Sequence, residues 1–88
     1  MTPTADSLVG RPWLEATESW DGALIAINVS DVDPSSQPVE NPIDWIVMAA
    51  CEIEDPRDRT AVVAVLRIDE QNSMSKGEAR ERIASRCD

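Results

Sequence analysis

Ile43-Asp44-Trp45-Ile46-Val47-Met48-Ala49-Ala50-Cys51-Glu52-Ile53-Glu54, then Asp55-Pro56-Arg57-Asp58, then Arg59-Thr60-Ala61-Val62-Val63-Ala64-Val65-Leu66-Arg67-Ile68-Asp69, is the stretch that decides the fold. Two runs rich in Val, Ile and Ala flank a turn in which Pro56 presets the backbone of the second turn position, the pattern of a β-hairpin. With Asp55 facing Asp58, the register opposes Trp45 to Ile68, Val47 to Leu66, Ala49 to Ala64 and Cys51 to Val62. That puts these side chains on one apolar face, and Glu54 closes the end against Arg59. The reverse face carries Ile46, Met48, Ala50, Ala61, Val63 and Val65, too apolar to meet water. Two coverings fit it: the N-terminal segment with Trp13 and Leu14, or a second copy of the chain using Ile46, Met48, Val63 and Val65.

Outward from the hairpin, Ser75-Lys76-Gly77-Glu78 matches a capping box, with Ser75 as N-cap and Glu78 at the third helical position. It predicts a C-terminal helix to about Cys87 whose apolar stripe is Ala79, Ile83 and Cys87, laid on the face of Val47, Ala49, Cys51, Val62, Ala64 and Leu66. Toward the N-terminus, Ala23 to Ser30 alternates as a strand, with Ile25, Ile27 and Val29 on one side. Asp21-Gly22 before it suggests a tight hairpin turn. Residues 12–20 are then read as the opposing strand. Trp13, Ala16, Thr17 and Trp20 also fall at helical spacing, so a helix is the alternative there.

Residues 1–11 lack periodicity and read as a mobile lead-in. Residues 32–42, with Pro34, Pro38 and Pro42, read as an exposed, semi-extended acidic loop. The expectation is one α+β domain over 1–88: a small antiparallel β-meander of three to four strands with one C-terminal helix packed on it. At 88 residues such a domain buries roughly 60–65% of its unfolded surface. With three Trp and neither Phe nor Tyr, its core must be mainly aliphatic.

No apolar run approaches the roughly 18–20 residues that cross a bilayer, and the N-terminus does not read as a secretory signal. A cytoplasmic protein with Cys51 and Cys87 as reduced thiols follows from that reading. A disulfide between them remains open on sequence alone.

The chemistry available is narrow. There is no histidine, which removes the commonest general base and metal ligand and every Ser-His or Cys-His nucleophile. Asp31-Val32-Asp33 matches the opening of a calcium loop, but Ser36 stands where glycine is needed and Pro42 where a bidentate glutamate should be. Glu52, Glu54, Asp55 and Asp58 crowd the hairpin end with Arg57 and Arg59 to neutralise them. Gly10, Gly22 and Gly77 are isolated, so no phosphate-cradling loop is present. No enzyme activity, cofactor or metal is expected.

What stands out is charge. The net charge is −9, and it belongs to one part of the chain. Residues 1–56 hold eleven acids against Arg11, whereas 57–88 hold six acids and seven bases. Such a field repels nucleic acid and anionic membrane and attracts basic surfaces. The expectation is an acidic binding protein on a basic protein partner, most specifically an inhibitor that mimics nucleic acid. Phage anti-defence proteins and nuclease-immunity proteins use this logic, an analogy of class with no shared motif. The expected contacts are Glu15, Glu18, Asp21, Asp31, Asp33, Glu40 and Asp44, extended by Glu52, Glu54 and Asp55, with Trp13 and Trp20 as aromatic anchors. The alternative is a homodimerising assembly subunit that uses the second apolar sheet face and carries its charge only for solubility.

Overall fold

The computed structural model describes residues 4–32, 35, 42–53 and 59–87. The fold is α+β. Strands β1 (Ala23–Asn28), β2 (Trp45–Ile53) and β3 (Thr60–Arg67) form one sheet in the order β1-β3-β2, with helix α1 (Trp13–Ser19) before it and helix α2 (Lys76–Ile83) after it. Short 3-10 turns span Ala5–Leu8, Pro42–Asp44, Ile68–Glu70 and Ala84–Arg86.

β3 is central: every residue from Ala61 to Leu66 is buried, and only a strand covered on both faces can bury such a run. It pairs antiparallel with β2, as the hairpin reading requires, but parallel with β1, Ala23 lying beside Thr60 and Asn28 beside Val65. The sheet is therefore mixed, and the antiparallel meander is corrected. Parallel pairing needs a long crossover, and here residues 29 to 59, including β2, supply it.

The hairpin register holds over half its length. Ala49 faces Ala64 and Cys51 faces Val62 as expected, but a bulge between Val47 and Ala49 shifts the rest. Val47 faces Val65 and Trp45 faces Arg67, rather than Leu66 and Ile68. One extra residue in a strand reverses the facing of everything beyond it. Met48 and Ala49 therefore both lie on the α2 side, while Trp45, Val47 and Ala50 lie on the other.

Each sheet face has its own cover. On one, α2 lays Ala79 and Ile83 on Ala49, Cys51, Val62, Ala64 and Leu66, with Met48, Met74 and Val29 completing the layer. Its start follows the capping box in half: Ser75 Oγ accepts from the Glu78 amide at 3.1 Å, while the Glu78 carboxylate turns to Arg82 at 3.8 Å. On the other face, Ala5, Leu8, Trp13, Ala16 and Trp20 cover Trp45, Val47, Ala50, Ala61, Val63 and Val65. The apolar reverse face is thus filled from within the chain. The N-terminal segment expected to be mobile over 1–11 buries Ala5 and Leu8.

Residues 13–19 are helical, not a strand. Seven residues cannot hold a helix alone, and α1 persists because the spacing of Trp13, Ala16 and Trp20 turns one stripe onto the sheet. Asp21-Gly22 accordingly joins a helix to a strand. Gly22 has no positive φ; its need is space, since a Cβ there would sit 1.9 Å from the Arg59 carbonyl oxygen.

Cys51 and Cys87 are joined in a disulfide, with Cα atoms 5.9 Å apart, which corrects the reading as two thiols. The reason is geometric. Ala79, Ile83 and Cys87 succeed one another at four-residue steps along the helical run, so Cys87 descends onto the face from which Cys51 rises.

Candidate acidic surface

The three strands bring their ends together in two clusters. At the first, β1 and β3 begin and β2 ends. Arg59, just before β3, is the hub: its Nε–H donates to Glu52 Oε1 at 2.9 Å and its Nη1–H to Asp21 Oδ1 at 3.3 Å. Its guanidinium lies over the Trp20 ring, 4.5 Å from the centroid, and the Trp20 Nε1–H donates back to the Arg59 carbonyl at 3.3 Å. Two carboxylates on one cation leave this trio with one net negative charge, held in a fixed orientation.

At the opposite end, β1 leads into Asp31 and β3 into Ile68–Glu70. Arg82 of α2 reaches Asp31 with two parallel hydrogen bonds, 2.6 and 3.0 Å, the fork-to-fork geometry that fixes both planes. The bonds to Asp31 raise the Arg82 pKa further above its ordinary value, with Glu78 adding to it. Asp31, Glu78 and Arg82 again carry one net negative charge. Nearby, the buried Ser30 donates its hydroxyl to Glu70 Oε1 at 2.7 Å, tying the exit of β1 to the turn after β3. Asp44 opens β2 at this end and lines a shallow cleft with Arg67, Ile68 and Asp69.

The third group is on α1. Arg11 pairs with Glu15 one turn later, Nη1 to Oε1 at 2.6 Å, and Glu18 stands exposed without an ion pair among the described residues. Leu14, 41% exposed, sits between them on the outer surface.

Glu15, Glu18, Asp21, Asp31, Asp44 and Glu52 are thus all exposed: Asp21 and Glu52 share Arg59, Asp31 sits on Arg82, and the turn carrying Asp44 packs against α1, which carries Glu15 and Glu18. The two sheet ends are separated by the length of β1, about 20 Å at 3.3 Å per residue. Asp33, Glu40, Glu54 and Asp55 lie outside the described residues, as do the turn at 54–58 and most of the loop at 32–42.

Trp13 and Trp20 are corrected as anchors: both are buried in the layer between α1 and the sheet. The residues assigned to a dimer face are also separated. Val63 and Val65 lie under that layer, while Met48 and Ile46 pack on the α2 side because of the bulge.

Arg82 is the organising residue that the sequence conceals. Read locally, it belongs to a helix face alternating Arg with Glu, and its partner Asp31 is 51 residues away. The sequence opposes Arg59 to Glu54, which lies outside the described residues, and counts it only among the counter-charges of the group that includes Glu52; its hold on Glu52 and its reach to Asp21 are not legible there.

Among the described residues no group of three or more His, Cys, Asp or Glu side chains is arranged to hold a metal ion. A groove of about 550 Å³ runs between the bulge of β2 and the loop before α2, lined by Gly10, Met48, Met74 and Lys76 among others. None of the candidate acids enters it. Among the described residues no helix is long and apolar enough to cross a membrane.

The arrangement defines an α+β chain with a mixed three-stranded sheet, one helix on each face and carboxylates oriented at both sheet ends. No known protein family, curated protein or solved structure matches it.

Proposed function

We propose that this chain is an acidic binding protein that occupies a basic surface of a protein partner, most specifically an inhibitor of a nucleic-acid-handling protein. The observation that carries this reading is the exposure of all six described candidate acids in a segment with eleven acids to one base. Carboxylates fixed by Arg59 and Arg82 stand in place of phosphates before the partner arrives, so little side-chain freedom is lost on docking. The surplus negative charge speeds encounter with a Lys/Arg groove and makes the association salt-sensitive.

The test is affinity capture on the immobilised protein from a nuclease-treated cell extract, with retained proteins identified by mass spectrometry. Proteins with basic nucleic-acid grooves should be retained, elute as salt rises and be displaced by added DNA or RNA. A variant with Asp31, Asp33, Glu40 and Asp44 changed to Asn or Gln should lose them. Retention that ignores salt and the four substitutions, or a partner whose surface is acidic or apolar, overturns the reading.

A further inference from the structure

Helix α2 is a weak element in a fold that depends on it. Of its eight residues Ala79 and Ile83 alone are buried, with Met74 seated just before it, and the 3-10 turn that follows buries none. A helix this short does not persist by itself. Its first turn adds to the weakness: Lys76 opposes the helix dipole, and Gly77 lowers helix propensity. Packing does not require that glycine, since a Cβ built on Gly77 meets nothing within 4 Å and its φ is not positive. Two polar ties run from the helix to the rest of the fold. Arg80 Nη1–H donates to the Ala50 carbonyl at 3.0 Å, and Arg82 reaches Asp31, whose side chain is 67% exposed. Exposed ion pairs contribute little to holding a helix in place.

The Cys51–Cys87 bond supplies what this packing does not. Cys51 is buried on β2, whereas Cys87, the residue after the 3-10 turn, is half-buried. Both line a cleft of about 300 Å³, with Asp6, Glu52 and Arg80 on its walls. The bond is therefore approached from the Cys87 side. On the same helix Arg82 forms its fork to Asp31, so whatever seats α2 also orients that acidic cluster.

We propose that the Cys51–Cys87 disulfide is a redox latch that seats α2 and is opened by a dithiol reductant. One thiolate of the dithiol attacks Cys87 Sγ; the bond to Cys51 breaks, and Cys51 leaves as a thiolate that takes up a proton. The second thiolate then attacks the dithiol's own sulfur in the mixed disulfide, and Cys87 leaves in the same way. Two electrons pass: the dithiol ends as a disulfide and the protein as two thiols. With the latch open, α2 leaves the sheet in a fraction of the molecules while β1, β2 and β3 stay paired, a local opening rather than global unfolding. Arg82 then parts from Asp31, and the face of Ala49, Val62, Ala64 and Leu66 is uncovered. The consequence for partner binding rests on the acidic-surface reading; the latch itself does not.

The test treats the native protein with dithiothreitol as the dithiol. Thiol alkylation read by mass spectrometry follows reduction, and amide hydrogen exchange reports which elements open. Both cysteines should alkylate without denaturant. On reduction the amides of Ala79 to Ile83 should exchange about tenfold faster or more than in the oxidised protein, and about tenfold faster or more than those of Val62 to Val65 in the same reduced sample. Cys87→Ser should exchange as the reduced parent does and ignore the reductant. Gly77→Ala, which strengthens the helix without meeting a neighbour, should slow α2 exchange in the reduced protein about twofold to fivefold. A bond reduced only in denaturant overturns the proposal, as does α2 exchange that is equally fast in the oxidised protein. Exchange of α2 and β3 together after reduction, or loss of the folded circular-dichroism spectrum, makes the bond a staple of the whole fold and overturns it too. If α2 opens as expected but a captured basic partner binds the oxidised and reduced proteins alike, the latch stands and its link to the acidic surface falls.

Discussion

The Trp20 indole and the Arg59 guanidinium hold each other from both sides. The cation lies 4.5 Å over the ring, and the ring nitrogen donates to the carbonyl of the same arginine. This contact joins the end of α1 to the start of β3, and Arg59 carries it on to Asp21 before β1 and Glu52 on β2. A surface ion pair alone contributes about 0–1 kcal/mol, so most of the joint's stability rests on the buried ring and the backbone bond. The acidic end of the sheet is therefore oriented by the core beneath it.

Gly22 is the residue that permits this approach. Replacing it by Ala places a Cβ 1.9 Å from the Arg59 carbonyl oxygen, against backbone that cannot rotate away. The variant should be destabilised by about 1–3 kcal/mol, as for other overpacked sites. Urea denaturation followed by tryptophan fluorescence measures it. A loss within error of zero would mean that the joint is looser than described.

The Cys51–Cys87 disulfide closes a segment of 36 residues between β2 and the chain's last helical turn. Constraining the unfolded chain over such a loop is worth about 3–4 kcal/mol in the entropic account. Cys87→Ser, or reductant, should lower the denaturation midpoint accordingly. In the reduced protein the amides of residues 84–87 should exchange faster than those of β3, because the bond anchors the end of the helical run.

How much of this was legible follows from which residues carried a one-sided pattern. Ser75, Ala79 and Ile83 did, and α2 begins and faces as expected. The hairpin was visible from Thr60-to-Leu66 and Trp45-to-Ile53, but the bulge at Met48 was not. Both faces are apolar there, so a one-residue slip exchanges one hydrophobic set for another without penalty. The pairing of β1 was hidden for a related reason. Asp21-Gly22 offers a local hairpin, whereas the true partner begins at Thr60, beyond the whole of β2. Apolarity does not give the order away either, since Trp45–Cys51 of the edge strand β2 is as unbroken a run as Ala61–Leu66 of the central β3. For the site, residue types were readable and grouping was not. Asp31 meets Arg82 only because β1 and α2 lie on adjoining parts of the fold.

The two covered faces give a sharp contrast. Leu66, fully buried under α2, should cost about 2–5 kcal/mol when changed to Ala. Val63, fully buried under Trp13 and Trp20, should not tolerate Lys at all, because the charge would enter the core. Circular dichroism and gel filtration distinguish the outcomes: an unfolded Val63→Lys protein agrees with the N-terminal cover. A folded Val63→Lys monomer from a dimeric parent would instead return that face to a second copy.

The acids themselves divide into those with a local counter-charge and those without, and that division makes the charge hypothesis testable at fixed net charge. Glu18 and Asp44 form no ion pair among the described residues, whereas Asp21 and Asp31 are held by Arg59 and Arg82. Glu18→Gln with Asp44→Asn, and Asp21→Asn with Asp31→Asn, each remove two negative charges. Long-range steering depends on the summed field, so both pairs should slow association with a basic partner by a similar factor at low salt, converging with the parent as salt screens the field. Dissociation should separate them. Each substitution leaves its arginine with one carboxylate, Glu52 for Arg59 and Glu78 for Arg82, so both clusters fall from one net negative charge to neutral and lose an oriented acceptor, and the Asp21/Asp31 variant should dissociate several-fold faster than the Glu18/Asp44 variant. Stopped-flow or surface-plasmon measurements at two salt concentrations read both rates. Identical dissociation would show that the pre-oriented carboxylates do not touch the partner, and unchanged association in both variants would reduce the acidity to a solubility device.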